Sequence, residues 1–548
     1  MTGKIVGISG PTVQVDIKGL KLYERVYVGH AMLTGEVVRL EENRAIVQVY
    51  EDTHGLGIGE PVKGAGRPLT VRLGAGIISS MFDGLQRPLE RLKDEMGPFI
   101  SKGTEMSALD DTRKWRFSPL REKGAEIAPG ESIGFIEEGA FKHFITGGNT
   151  SNKKLSGIVD GDISLDQPFG EFEDGEKIMG FHEWPIRVPR PYRRKISSSQ
   201  ALVTGQRSID FLFPFARGGT AILPGGFGTG KTVLEQSIAK FADVDIVVYV
   251  GCGERGNEMA EMISEFQTLK DPRTGRPLME RTILVVNTSN MPVAAREASI
   301  YTAVSMAEYY RDMGYHVLFL ADSISRWAEA LREISSSLEE MPAEEGYPTY
   351  LASRLSGFIE RAGVVETMNG ATGSLSMILS VSPPGGDFTE PVTQACLRTS
   401  GVFLMLDTSL AHRRHFPAIN WFQSYSLYAK DAIGYYRVQV STEWEKLHYR
   451  CKEILQKEES LREIAEIVGI EGLQDADRLL MRTAEMIRSD FLSQNSYTGD
   501  AFSTPEKTCA LIKGIIDFYD LAVEKLKGGL TLEKVLRLEN PLKEKIMP

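Results

Sequence analysis

Gly225-Gly226-Phe227-Gly228-Thr229-Gly230-Lys231-Thr232 is the stretch on which the reading of this chain turns. It has the form G-x-x-x-x-G-K-[ST], and its flanks decide what that form means. Before it stands Thr220-Ala221-Ile222-Leu223, a short apolar run suited to a strand. After it, Val233 to Phe241 put Leu234, Ile238 and Phe241 on one helical face. Strand, glycine loop and helix in that order make a phosphate cradle. The glycines let backbone N–H groups converge without Cβ clashes, and the helix start adds partial positive charge. Lys231 is expected to reach the outer phosphates, Thr232 to place its hydroxyl on Mg2+, and Gly225 through Val233 to line the nucleotide.

Working outward, Asp245 to Val250, Thr282 to Val286, Val317 to Leu320, Ser376 to Ser380 and Val402 to Leu406 are continuous apolar runs. Such runs suit strands buried on both faces. A strong helix-forming stretch from Val293 to Tyr310 lies among them. The alternation argues a parallel α/β core. In such sheets ligands bind beyond the carboxyl ends of the strands. Glu254, in Gly251-Cys252-Gly253-Glu254-Arg255-Gly256-Asn257-Glu258, follows the strand ending at Val250. Near a γ-phosphate its carboxylate would hold and polarise the attacking water; alone, it would read as a surface glutamate in a turn. Asp322 follows four apolar residues and an alanine, the pattern of a strand-end acid for Mg2+, and could also cap the next helix. Ser382 to Asp387 is a rigid loop; it suits a plain turn or a contact with a neighbouring subunit or the nucleotide, and spacing assigns it no chemistry.

The 548 residues exceed what one core organises, so about three or four domains are expected. Residues 1–70 carry evenly spaced period-2 runs, around Lys4 to Ile8, Val13 to Ile17, Gly35 to Leu40 and Ala45 to Tyr50, with a turn at Glu41 to Arg44. They predict a small β-barrel. Residues 71–109 read as a linker, 110–185 as a strand-rich insert, 186–434 as the nucleotide-binding core and 435–548 as a helical domain. In the last, Leu447, Ile454, Leu455, Leu461, Ile464 and Ile467 recur at helical spacing, as do Leu479, Leu480, Ile487 and Phe491. Both stripes are expected to be core. The four cysteines have no metal-type spacing and are too few for a disulfide framework, which suits a reducing cytoplasm. No long apolar stretch suggests a signal peptide or membrane span, so any membrane role is expected through partners. The net charge of −11 gives no basic footprint for nucleic acid.

Taken together, these segments closely resemble the catalytic A subunits of archaeal and bacterial A-type/V-type rotary ATPases. The densest likeness lies in Gly251 to Glu258, Asn287 to Ser299, Ser325 to Glu333 and Arg413 to Trp421. The resemblance implies a RecA-like core, with the insert as that family's bulge domain. It implies three such chains alternating with three non-catalytic B subunits, a central stalk and a peripheral stalk. Hydrolysis or synthesis of ATP would be coupled to H+ or Na+ movement through a separate membrane ring. Phe416 with Pro417 matches the segment that stacks on adenine, and Tyr497 would form the other wall. Arg255 matches the residue that orients the catalytic Glu254, and an arginine finger would come from the B subunit. The turn Glu471 to Asp475 resembles the loop bearing on the central stalk. The family usually has Pro at Gly226, Ser or Ala at Thr229, and Thr at Ile324. Gly226 should loosen the loop by freeing φ.

Three rivals share part of this pattern. A RecA-like hexameric nucleic-acid motor would carry the same loop, glutamate and aspartate, but should show interleaved basic and aromatic stretches. A non-catalytic ring subunit should lack Lys231, Thr232 or Glu254. A secretion-system ATPase should lack the insert.

Overall fold

A computed structural model describes residues 1–41, 44–97, 101–148 and 151–536. Glu42 and Asn43, in the expected turn, and the end of the helical domain beyond 536 lie outside the described residues. The chain forms two compact units. One takes Met1–Ser197, Val244–Pro383 and Asp387–Thr399; the other takes Ser198–Asp243, Pro384–Gly386 and the chain from Ser400 on. The stretch 186–434 therefore contributes to both.

The first unit begins with a closed barrel of six strands, from Thr2–Ser9 to Pro61–Pro68. Alternation drives its closure. Ile5, Val13, Val15, Val26, Val28, Val47, Val49 and Val62 point inward and are buried, each worth about 1.5–3 kcal/mol of transfer free energy. The sequence reading missed Glu24–Val28 and Pro61–Pro68, whose glycine, proline and charged residues blur the period. The stretch read as a linker also carries strands. Thr70–Gly74 pairs antiparallel with Phe181–Pro185, closing the base of the insert, and Met81–Phe82 joins the core sheet.

The insert is two four-stranded sheets, a barrel-sandwich packed around Phe117, Ile133, Ile136, Phe169 and Phe172. Phe117 meets Phe169 edge to face at 5.0 Å. A Cβ on Gly134 would stand 2.3 Å from the Phe117 ring, so only glycine allows that strand to pass so close.

The core sheet of this unit runs Thr372–Val381, His316–Asp322, Ile246–Glu254, Thr282–Thr288 and Met81–Phe82, all parallel. The helix Val293–Asp312 is buried over nearly its whole length, which Ala and Ser faces permit. Its buried glutamates are paired: Glu297 with Arg187 and Arg354, Glu308 with Arg361.

The second unit holds the strand Thr220–Pro224, the helix Lys231–Phe241 and the C-terminal helices Trp444–Val468, Asp475–Met486 and Pro505–Lys527. Thr504 caps the last by accepting the Lys507 N–H at 3.2 Å, with Pro505 in the first turn. The expected core stripe holds only in part. Leu447, Ile454 and Leu455 are buried, but Ile464 and Ile467 are exposed. The helix outruns its packing partners after Glu458. Among the described residues, no helix is long and apolar enough to cross a membrane.

Candidate nucleotide site

In the second unit, the buried strand Thr220–Pro224 delivers the chain into the glycine loop. Gly228 and Gly230 take φ of 78° and 83°, the left-handed region that favours glycine. Gly230 is the residue before the helix, so the first helical N–H groups face the mouth of the loop. Lys231 Nζ donates to the carbonyls of Gly225 at 2.6 Å and Gly226 at 3.1 Å. That holds its ammonium over the loop. A Cβ on Gly225 would stand 2.7 Å from Leu406 Cβ and from Thr229 Oγ1. Phe227 projects outward, 87% exposed. Thr232 and Val233, in the first turn, are half-buried.

The structure qualifies the expectation that Gly226 loosens the loop. Thr229 is buried, and its hydroxyl donates to the Gly226 carbonyl at 2.8 Å. A side-chain hydrogen bond thus braces the position where φ is free.

Phe416 lies in the same unit, its ring against Gly230. Its carbonyl accepts the Gln494 N–H at 2.7 Å. Pro417 follows, and Tyr497 sits three residues past Gln494, 84% exposed. The expected aromatic segments are therefore joined through their backbones, beside the loop.

The first unit holds the carboxylates. Gly251 and Asp322 are register partners on adjacent parallel strands, and Glu254 ends its own strand. Asp322 is buried, with Tyr249 Oη 3.5 Å from its Oδ2. It does not cap the next helix; that position is Ser323. Burial raises the Glu254 carboxyl to about 7, the negative charge of Asp322 adds to this, and Arg326 and a Ser323 hydrogen bond oppose it. A carboxyl near neutrality suits proton traffic at ordinary pH. Gly253 has φ 73°, and a Cβ there would meet Arg326 Cβ at 2.8 Å. Cys252 is buried, its thiol pushed to about 12 by burial and therefore inert.

Arg255 is 65% exposed and lies 3.6 Å from Glu258. Arg326, which sequence reading passed over, bears electrostatically on Glu254 and donates from one nitrogen to both Glu329 oxygens at 2.9 Å. Its signal was its place four residues after Asp322, in the first turn of Ile324–Ser337.

Each unit carries one of the oxygen donors expected for Mg2+, the Asp322 carboxylate in the first and the Thr232 hydroxyl in the second. Oxygen donors of this kind are the chemistry a hard cation takes, one or two from protein along with phosphates and waters. Among the described residues, no cluster of three or more His, Cys, Asp or Glu would hold a metal by itself.

Four family models match the chain: "ATP synthase alpha/beta family, nucleotide-binding domain" at 205–426, the family's beta-barrel domain at 5–66, its barrel-sandwich domain at 106–187, and "C-terminal domain of V and A type ATP synthase" at 433–536. These define the class as the ATP synthase alpha/beta proteins. The A subunit of the A-type ATP synthase of Methanopyrus kandleri is 50% identical, with 98% of this chain and 92% of that protein aligned. That of Staphylothermus marinus is 48% identical, covering 99% and 93%. The chain belongs to the family of A-type ATP synthase A subunits. Its fold is also that of the assembled ATPase EscN from the enteropathogenic E. coli type III secretion system, with TM-score 0.69, 21% identity and coverage of 94% and 100%.

Proposed function

We propose that this chain is the catalytic subunit of a rotary ATP synthase, hydrolysing or making ATP and coupling that reaction to H+ or Na+ movement through a separate membrane sector. The observation that carries this reading is Glu254, which ends a buried strand whose Gly251 is the register partner of Asp322, its carboxyl raised to about 7 by burial and by the Asp322 charge. The intact glycine loop and the full-length kinship with the A subunits of other A-type synthases support it.

In this reading, backbone groups from Gly225 to Val233 and the Lys231 ammonium bind the phosphates. Thr232 and Asp322 would hold Mg2+, which would supply neutralisation of phosphate charge. Glu254 orients and polarises a water in line with the γ-phosphorus, and Arg255 and Arg326 orient Glu254. The water oxygen–phosphorus bond forms as the bond to the β-γ bridging oxygen breaks, with no covalent enzyme intermediate. Phe416, Pro417 and Tyr497 enclose the base.

The proposed assembly alternates three of these chains with three B subunits that each supply an arginine finger. It sits at the cytoplasmic face, with central and peripheral stalks as further partners and the membrane reached only through them. Nucleic acid is not a partner in this reading.

The test is co-expression with a similar, non-catalytic chain. An alternating six-membered ring with Mg-ATPase activity, against poor activity of the isolated chain, is the expected result. ATPase activity of the isolated chain stimulated by RNA or DNA would instead support the motor reading.

A further inference from the structure

Arg207 and Gln494 are buried polar residues in the second unit that the proposed chemistry leaves unused. They are 1% and 2% exposed. Gln494 Oε1 accepts the Arg207 N–H at 2.9 Å, and its Nε2 donates to the Gly205 carbonyl at 2.9 Å. Its own N–H is the one donated to Phe416. Arg207 Nε donates to the Phe491 carbonyl at 2.7 Å, and one Nη to the Ser493 carbonyl and Asp500 Oδ2, both at 2.7 Å. Gln206 reaches the Ala501 carbonyl at 3.2 Å. Asp210 anchors the other side, accepting from Thr204 N and Gly205 N at 2.9 Å. The exposed Tyr497 thus rides on a short loop gripped at both ends by one buried segment, and the loop's own Gln494 N–H ties it to Phe416.

A buried guanidinium satisfied this fully fixes geometry; apolar packing would secure stability at lower desolvation cost. We infer that Arg207 and Gln494 are positioning residues for nucleobase recognition, holding the Tyr497 loop in register with Phe416. The inference rests on the reading of Phe416 and Tyr497 as the walls around the base. Neither residue touches the nucleotide; each acts through the loop. Their loss therefore weakens base binding equally in ground and transition states and leaves phosphate binding intact.

The test uses the assembled ATPase complex, with ATP as substrate and inorganic tripolyphosphate as a competing ligand that lacks a base. Gln494→Ala should raise KM for ATP on the order of tenfold, with kcat changed less than about twofold and tripolyphosphate inhibition unchanged. Gln494→Glu, which keeps the acceptor for Arg207 N–H, should recover part of the loss. Equal weakening of ATP and tripolyphosphate would overturn the inference, because the segment would then act on the whole fold. Phe416→Ala separates the layers. If it leaves KM unchanged, the base-wall reading itself falls. If it raises KM while Gln494→Ala and Asp500→Asn do not, the positioning inference alone falls. Arg207→Lys is a harsher variant; should it not assemble, Gln494→Ala decides.

Discussion

The ring of Phe416 rests against Gly230, the residue that opens the helix after the glycine loop: a Cβ there would stand 3.4 Å from ring atoms Cδ1 and Cε1. One glycine therefore serves two surfaces, the phosphate cradle and the expected base wall. Space is adequate for a methyl, but the φ of 83° is not. Gly230→Ala should cost about 1–2 kcal/mol of local strain and weaken nucleotide binding roughly tenfold. Titration of ATP binding, with thermal unfolding as a control, checks this. Unchanged affinity would mean that the loop adopts another backbone path to bind.

Thr229 and Gly226 form a coupled pair. Gly226 is not in the left-handed region, so its backbone does not require glycine. A Cβ there would meet Thr408 Cγ2 at 3.2 Å, a contact that a small rotation relieves. Thr229→Ala should lower ATP affinity several-fold by releasing the Gly226 carbonyl, and Gly226→Pro should offset part of that loss by fixing φ. A double-mutant cycle on ATP affinity measures the coupling. Strict additivity would count against a shared effect on loop rigidity.

Glu254 sets the expected pH dependence. Its ionised form is the competent one, so activity is present above about 7 and is lost as pH falls through that value. The kcat/KM profile for Mg-ATP hydrolysis, read between about pH 5 and 9, should show this limb. Arg326→Gln removes a favourable positive charge and should move the midpoint upward. A downward movement would contradict the electrostatic account.

Arg187 joins the barrel to the core. It donates to Glu36 of the barrel and Glu297 of the buried helix at 2.8 Å each, and Tyr50 Oη adds a 2.9 Å bond to Glu36. Arg187→Met would leave two buried carboxylates facing each other without their shared cation. A loss of about 3–5 kcal/mol is expected, read as a lower Tm of the isolated chain. A change below about 1 kcal/mol would show that the carboxylates simply take up protons.

Local pattern carried much of this structure. The runs at 246–250, 282–286 and 317–320 announced themselves because strands buried on both faces admit little but branched apolar residues. The glycine loop was legible because phosphate binding constrains backbone and side chain within eight adjacent positions. The barrel strand at 61–68 was hidden because glycine, proline and charge interrupt its alternation, and that at 24–28 because its inward face begins with the charged Glu24. The pairing of Thr70–Gly74 with Phe181–Pro185 was hidden because an entire insert separates the partners. The bonds of Arg207 to residues near Gln494 and Asp500 were invisible for the same reason, since no local periodicity marks a contact across most of the chain. Arg326 was within reach, as a cation one turn after the strand-end aspartate. The exposed end of the Leu447 stripe shows the opposite failure: helical periodicity marks a face, and only tertiary contacts decide how much of it is covered.

The most direct test replaces Glu254 by Gln in the assembled ring. The carboxamide keeps the shape and removes the charge that polarises water. Nucleotide binding should stay within a few-fold of the parent, while turnover falls by at least about 10²-fold. Turnover close to the parent's in a ring that binds ATP normally would contradict the central claim that Glu254 activates the attacking water.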